Sequence, residues 1–404
     1  MRVADRIAQI LVDNGIRHIF MVTGGAAMHL NDAMGNHPDL EYICCHHEQA
    51  CAMAAESYFR LSGKLAAVNV TAGPGSINTL NGVFGAYVDS MGMIVISGQA
   101  KRETMSRNHS ISLRQLGDQE VDIISMVRHI TKYATVLQDP QMVDEVMNKA
   151  IYLSTHGRPG PVWIDVPIDV QAELINKKKL TSFDPLDLDS IMNDDDIVEN
   201  TKGEFEKFSI SDTDAAIREI LFKLSFAERP LVFAGSGVRI SGAYDKFLAV
   251  IDKMGVPVVT GWNAHDIIPN DHPLYAGRPG TVGDRPGNFA VQNADFMLVL
   301  GSRLNIRQVS YNWENFAPHA WIAQVDIDPS ELRKPTLKID MPIHTDLNDF
   351  LKKVNEKLKK YHIPKTHTAY LKWCQVRIKH YPVVLPEYWE NEKVNPYCFM
   401  DRLF

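Results

Sequence analysis

Cysteine is scarce and odd in number. Five in 404 residues leave no even set for a disulfide framework, and their spacing gives no paired C-x-x-C metal ligands, so a reducing cytoplasm is the expected setting. Three of them, Cys44, Cys45 and Cys51, crowd into one short stretch. Basic charge has no excess: 42 Lys and Arg stand against 49 Asp and Glu, a formal net charge of -7. That balance, with no Lys/Arg run forming a stripe, argues against nucleic acid as a partner. A membrane-spanning apolar run is missing too. The amphipathic opening Arg6-Ile7-Ala8-Gln9-Ile10-Leu11-Val12 is too short and too charged for a signal or a membrane span.

What is present suits a large soluble protein of two to three domains, 45% hydrophobic and 23% charged. Strand, Gly-containing turn and helix recur in order. His18 to Val22 runs into Gly24-Gly25, Leu65 to Val70 into Ala72-Gly73-Pro74-Gly75, and Met93 to Ile96 into Ser97-Gly98-Gln99. Turns of this kind line the carboxyl ends of a parallel sheet, so the expected fold is α/β with doubly wound parallel sheets. The pattern predicts a first domain over 1–171, closing after the strand that ends in Pro167. A solvated linker over 172–211 contains Lys177-Lys178-Lys179 and Asp194-Asp195-Asp196. A second α/β domain over 212–352 opens with Pro230 to Ala234 running into Gly235-Ser236-Gly237, and 353–404 follows it.

One carboxylate stands out. Glu48 lies between a turn and the Ala-rich helix of Ala50, Ala52 and Ala54. A carboxyl that gives and takes a proton near neutral pH needs its pKa raised from ~4.3 toward ~6 to 7 by apolar surroundings, which small neighbours permit. The alternative is a solvated residue in a first helical turn, favoured by the helix dipole. The glycines of Gly73-Pro74-Gly75-Ser76-Ile77-Asn78 let backbone approach a ring, with Asn78 as a polar contact, while the missing Gly-Lys-Ser/Thr ending rules out a phosphate loop.

Together these segments resemble the pyrimidine-binding domain of thiamine diphosphate enzymes, in the acetolactate synthase-like branch. The resemblance covers nearly the whole chain. It implies that Glu48 hydrogen-bonds N1′ of the cofactor's aminopyrimidine, that Gly73, Pro74 and Asn78 border the pyrimidine, and that Gly24, Gly25 and Ala26 turn near the reactive carbon. Gln99 and Gln119 are the implied polar catalytic neighbours, with His109 a weaker candidate. Thr23 stands where acetolactate synthases typically have Pro. The implied chemistry is decarboxylation of pyruvate and transfer of a two-carbon unit to a carbonyl acceptor, in a homodimer or tetramer.

The second domain resembles the family's central domain, which either holds flavin adenine dinucleotide or has lost it. Glycines at Gly235, Gly237, Gly277, Gly280 and Gly301, with Thr281, Arg303, Asp326 and Asp328, favour retention, because glycine backbone can meet a diphosphate and an aspartate after a strand an adenosine hydroxyl. Gly261-Trp262-Asn263-Ala264-His265-Asp266, the stretch from Arg303 to Gln308, and Tyr311-Asn312-Trp313-Glu314-Asn315 resemble carboligases of branched-sugar biosynthesis, which use a nucleotide-linked keto-deoxysugar as acceptor. Acetolactate synthase proper and a keto-acid decarboxylase are the alternatives, as is a non-catalytic chain that binds a partner. Where acetolactate synthases commonly carry Pro-Lys-Asp, this chain reads Pro167-Ile168-Asp169, without the cation.

The family's magnesium motif, Gly-Asp-Gly with a later Asn-Asn, has no counterpart. The Gly-Asp pairs are Gly117-Asp118-Gln119 and Gly283-Asp284-Arg285, so no residue of this chain is assigned to a metal. The run Asn395 to Phe404 resembles the first helix of the diphosphate-binding domain. The expectation is therefore the first two domains and a truncated start of the third, with Mg2+ held elsewhere.

Overall fold

The computed structural model describes residues 1–205, 212–361, 367–390 and 392–403. The chain divides into two compact units, Met1–Glu206 and Lys207–Phe404.

The first unit is built on six parallel strands: β1 (His18–Met21), β2 (Glu41–Cys44), β3 (Ala67–Val70), β4 (Met93–Gln99), β5 (Tyr133–Val136) and β6 (Pro161–Pro167). They are ordered β2-β1-β3-β4-β6-β5. The inner strands β3, β4 and β6 are buried at every residue, which is why they read as continuous apolar runs, while the edge strand β2 is largely exposed. From β1 the chain winds outward to β2; from β3 it winds the other way, to β4. The winding therefore reverses between β1 and β3. Ligands of open α/β sheets bind in the crevice at such a reversal, outside the carboxyl ends of the strands.

The segment expected as a solvated linker is instead part of this unit up to the last described residue, 205. Ile191 and Ile197 are buried, and Ile197 bridges Tyr133 on the outer edge of β5. Asp194 pairs with the buried Lys149 at 2.7 Å, and Asp196 accepts from the Thr135 hydroxyl; only Asp195 of the acidic run is fully exposed. Lys132, 4% exposed, pairs at 2.9 Å with Glu204, 8% exposed, on the helix Glu199–Phe205. An uncovered sheet edge and two buried ammonium groups require partners, and this segment supplies them. Residues 206–211 of the expected linker lie outside the described residues.

The second unit has five parallel strands: β7 (Pro230–Ala234), β8 (Val258–Thr260), β9 (Phe296–Leu300), β10 (Trp321–Asp326) and β11 (Met341–His344), ordered β11-β10-β9-β7-β8. Here the winding reverses between β7 and β9. Alternate side chains feed two apolar layers, one around Val232, Leu298 and Val325, the other around Phe233, Val299 and Ile322. The helix His367–His380, expected only as connection, joins the second layer: Tyr370 and Cys374 are core residues, and the Tyr370 hydroxyl donates to the Ala290 carbonyl at 2.5 Å. A final helix spans Pro396–Leu403; Phe404 lies outside the described residues. No helix among the described residues is long and apolar enough to cross a membrane.

Candidate active site

The two turns that flank the first reversal touch each other. A Cβ on Gly24, after β1, would lie 2.4 Å from the Cβ of Thr71, after β3, so only glycine fits. Thr71 accepts a hydrogen bond at its hydroxyl from the Ala26 amide (3.2 Å). The Ala26 carbonyl accepts from the Gln171 side chain (2.8 Å), and a Cβ on Gly98, in β4, would lie 2.2 Å from that oxygen. Beside this tight packing Gly25 is open, with no atom within 4 Å of where its Cβ would stand.

Glu48 is the first residue of the helix Glu48–Ser62, whose cap, His47, accepts the Gln49 amide at Nδ1 (3.1 Å). The helix Pro74–Asp89 packs on it closely, since a Cβ on Gly82 would come 2.5 Å from that of Ala52. This approach carries Asn78 to Glu48: the Asn78 amide donates to Oε2 at 3.0 Å. The other oxygen, Oε1, faces Gly75, where an added Cβ would stand 3.2 Å away. Ala52 is buried, Ala54 half-buried and Ala50 exposed, so the alanines serve helix packing more than enclosure. Glu48 itself is half-buried within its unit, less enclosed than the sequence suggested.

The remaining candidates separate. Gln119 comes to the site: it sits at φ +53, and its carbonyl oxygen lies where a Cβ on Gly73 (φ +58) would be, at 2.1 Å. Gln99 does not. It is 1% exposed and donates to the Val121 carbonyl (2.9 Å) and to Asp165 (2.8 Å), while its own oxygen accepts the Ala100 amide (2.9 Å). With every polar atom engaged inside the protein, it is a buried tie rather than a group facing a ligand. His109 is exposed, its Nε2 3.0 Å from the Glu103 carbonyl.

Two residues of this region escaped the sequence reading. Thr71 is legible afterwards as the hydroxyl between a buried strand and a Gly-Pro-Gly turn. Asp165 is a lone acid within the apolar strand β6, fully buried, accepting from the Ser97 hydroxyl (2.6 Å) as well as from Gln99. Burial pushes its carboxyl up to about 7, although both hydrogen bonds favour the charged form.

Neither Gly-Asp pair holds an open carboxylate at a shared centre. Asp284 caps the helix Arg285–Asn293, accepting from the Gly287 amide (2.6 Å) and the Arg278 amide (2.9 Å), and burial raises its pKa. Asp118 is exposed, and the Gly117 amide before it bonds Glu120 instead (3.1 Å). Burial pushes the Glu120 carboxyl up, but bonds from the Ser106 hydroxyl and from the Leu116, Gly117 and Ser106 amides outweigh it and hold the group below its ordinary value. Among the described residues no three His, Cys, Asp or Glu side chains converge as metal ligands.

The rim of the second sheet repeats the backbone contact of the first. Gly235 and Gly237, after β7, press on Gly301, after β9: added Cβ atoms would lie 2.2 Å from the Gly301 oxygen and 2.7 Å from its Cα. Gly277 (φ +109) and Gly280 (φ +137) line the loop toward Thr281, whose amide donates to the Arg307 carbonyl (2.8 Å). Asp326 accepts the Asp328 amide (3.0 Å), Asp328 caps a short helix through the Ser330 amide (2.8 Å), and Arg303 lies 3.8 Å from Glu331. Near these groups the Thr260 hydroxyl, the Gln308 side-chain oxygen and Arg278 Nε are buried without hydrogen-bond partners. Such orphaned polar atoms fit a rim that takes a polar ligand.

Two family profiles match the chain: the thiamine pyrophosphate enzyme N-terminal TPP binding domain over residues 1–126 and the thiamine pyrophosphate enzyme central domain over 217–354. Among curated proteins it is 34% identical over 348 residues to the acetolactate synthase large subunit of Lactococcus lactis, covering 86% of this chain and 56% of that protein. It is 31% identical over 357 residues to that of Buchnera aphidicola, covering 88% of this chain and 58% of the relative. A probable acetolactate synthase large subunit of Methanocaldococcus jannaschii is 32% identical over 352 residues, with 87% and 55% covered. The chain thus spans between 55% and 58% of the length of these three relatives.

Proposed function

Because the chain belongs to the thiamine pyrophosphate enzyme family, in its acetolactate synthase-like branch, we propose that its first unit holds the aminopyrimidine of thiamine diphosphate at the β1/β3 reversal and that the protein acts as a pyruvate-decarboxylating carboligase. The observation that carries this reading is the Glu48 carboxylate held at a glycine-lined rim with one oxygen on Asn78 and the other directed at Gly75. When bound, the cofactor supplies a carbon nucleophile and an electron sink for decarboxylation. The chain's own part is narrower. Glu48 Oε1 gives and takes a proton at a ring nitrogen, Asn78 fixes the carboxylate plane, and Gly25 leaves room where a side chain would obstruct substrate. Gly73 and Pro74 border the ring, and Gln119 stands beside them. Gln99 acts through the loop it ties, by its bond to Val121.

The three orphaned polar atoms at the rim of the second unit support flavin adenine dinucleotide, with Thr260, Gln308 and Arg278 added to the residues read from sequence. The described residues offer no ligand set for magnesium, and no step is assigned to it. The relatives' printed name supports a second keto acid as acceptor. Exposed Trp262 and Tyr311, 50% and 82% accessible, support the larger nucleotide-linked keto-deoxysugar, since flat aromatic faces suit a base or sugar ring. An assembly of at least two copies is proposed from the relatives' designation as large subunits, and a cytoplasmic setting from five unpaired cysteines.

Glu48→Gln tests the central claim. Carbon dioxide release from pyruvate, with thiamine diphosphate and magnesium supplied, is expected to fall by about 100-fold or more, as for loss of a general acid-base group. Turnover unchanged by the substitution removes Glu48 from the mechanism. A competition between pyruvate and a nucleotide keto-deoxysugar as acceptors then decides the finer reading by product.

A further inference from the structure

The turn that leaves Gly25 open is held at every peptide. The Gly24 carbonyl, which takes the Ala27 amide (3.2 Å), also accepts from the side chain of Asn31 (3.3 Å) on the helix Met28–Asn36. The Ala26 amide donates to the Thr71 hydroxyl (3.2 Å) after β3, and the Ala26 carbonyl accepts from Gln171 (2.8 Å) on the short helix Ile168–Ala172 after β6. Three consecutive peptide units, those joining residues 24 to 27, are thus each fixed by a side chain from a different part of the first unit. Gln171 donates again to the Val166 carbonyl in β6 (2.8 Å), and Asn31 accepts from Asn69 in β3 (2.7 Å), so both side chains are themselves anchored to the sheet.

The orientations of these amides are forced. A carbonyl only accepts, so Gln171 must turn its nitrogen to Ala26 and Val166, and Asn31 its nitrogen to Gly24; Asn31 then shows Asn69 an oxygen, which Asn69 must meet with its own nitrogen. Two acceptors are left idle: the side-chain oxygens of Gln171 and Asn69, both residues 0% exposed, have no hydrogen-bond partner. Burying an unpaired oxygen is unfavourable, and a residue needed for packing alone would avoid this by being apolar. The donor halves are what this place in the fold requires.

We infer that Gln171 and Asn31 are positioning residues for the proposed reaction, holding the turn Gly24-Gly25-Ala26 back so that the space beside Gly25 stays open to substrate. The use of that space rests on the proposed function; what holds it open rests on the hydrogen bonds alone. Without the two donors the peptides on either side of Gly25 are free to rotate, and glycine, having no side chain, does not resist. Crowding is felt most where the substrate carbon closes to bonding distance, and a displacement of about 1 Å there can slow a reaction by about 100-fold. The loss therefore falls on kcat and not on KM.

Gln171→Met keeps the length of the side chain and removes the donor. Asn31→Ala, at a half-buried position, removes the donor at the other end of the turn and serves where the first variant folds poorly. Each full-length variant is compared with the parent by amide hydrogen exchange, read by mass spectrometry on peptides covering residues 22–30, β4 and β6. Exchange at Ala26 and Ala27 is expected to quicken by about 10-fold, as for loss of one hydrogen bond, with β4 and β6 changed by less than about 2-fold. Carbon dioxide release from pyruvate, with thiamine diphosphate and magnesium supplied, is expected to lose about 10- to 100-fold in kcat while KM for pyruvate stays within about 3-fold. Unchanged exchange in 22–30 overturns the inference, as does exchange that quickens equally in β4 and β6, which marks a merely structural part. A loosened turn with kcat unchanged, or a loss carried by KM alone, overturns it too. A parent chain that releases no carbon dioxide counts against the proposed function instead, and the exchange pattern then decides by itself whether these side chains hold the turn.

Discussion

Asp165 makes the stability of the first unit depend on pH in a sense opposite to that of most carboxylates. Its carboxyl is buried in β6, and burial raises it from 3.8 to about 7 against the pull of the Ser97 and Gln99 hydrogen bonds. Between those two values the folded chain keeps a proton that the unfolded chain releases. The contribution is therefore complete below 3.8 and is lost as pH rises through 7, and the linkage is worth ~4 kcal/mol over the window. Asp165→Asn removes the titration while an amide can still accept from Gln99 and donate to Ser97. Because a chain with two compact units has no single unfolding free energy, amide hydrogen exchange in β4 and β6 is the suitable assay. At each pH the variant and the parent share the same chemical exchange rate, so their difference isolates the carboxyl. The parent is expected to lose protection relative to the variant steadily from about pH 4 to about pH 7, by up to ~4 kcal/mol in openings that expose Asp165. A difference that stays flat across this range refutes the argument from burial.

Gly73→Ala is expected to destabilise the first unit by roughly 1–3 kcal/mol through its positive φ alone, and by more because the new Cβ would stand 2.1 Å from the Gln119 oxygen; chemical denaturation of the unit measures this. Lys132→Ala leaves Glu204 buried without its ammonium partner and strands the His156 and Arg158 carbonyls that Lys132 also serves. A loss of about 3–5 kcal/mol is expected, with proteolysis opening first near Glu199–Phe205; unchanged resistance there would show that the helix is held by other contacts.

The doubly wound α/β class was legible because several inner parallel strands are mostly apolar and run into glycine turns, as β3 does at Gly73, β7 at Gly235 and β9 at Gly301. Glu48, Asn78 and Gly75 were legible as neighbours only through the resemblance, since Asn78 lies 30 residues from Glu48 and no local pattern joins them. Gln99 misled for a related reason. An isolated glutamine carries no sign of its partner, and Asp165 is 66 positions away. The acidic run at Asp194 read as solvated because three carboxylates in succession usually are; the buried Lys149 that changes the answer lies 45 residues earlier. In each case the missing information was a long-range polar contact, which leaves no periodicity in the sequence.

The two units place glycines at their reversals for the same reason and present different chemistry there. In both, the turns after the two diverging strands are too close for side chains: Gly24 against Thr71 in the first, Gly235 and Gly237 against Gly301 in the second. These glycines are therefore required by packing, and by themselves they identify a crevice, not a ligand. The distinction comes from what stands beside them. The first reversal has a carboxylate with one oxygen fixed by an amide and the other beside a residue without a side chain, an arrangement suited to proton exchange with a ring. The second has carboxylates engaged on their own backbone at Asp326 and Asp328 and unpartnered neutral groups at Thr260 and Gln308, which can bind but have no proton to exchange near neutral pH. On the proposed function, a catalytic role falls to the first rim and a holding role to the second, whichever ligand occupies it.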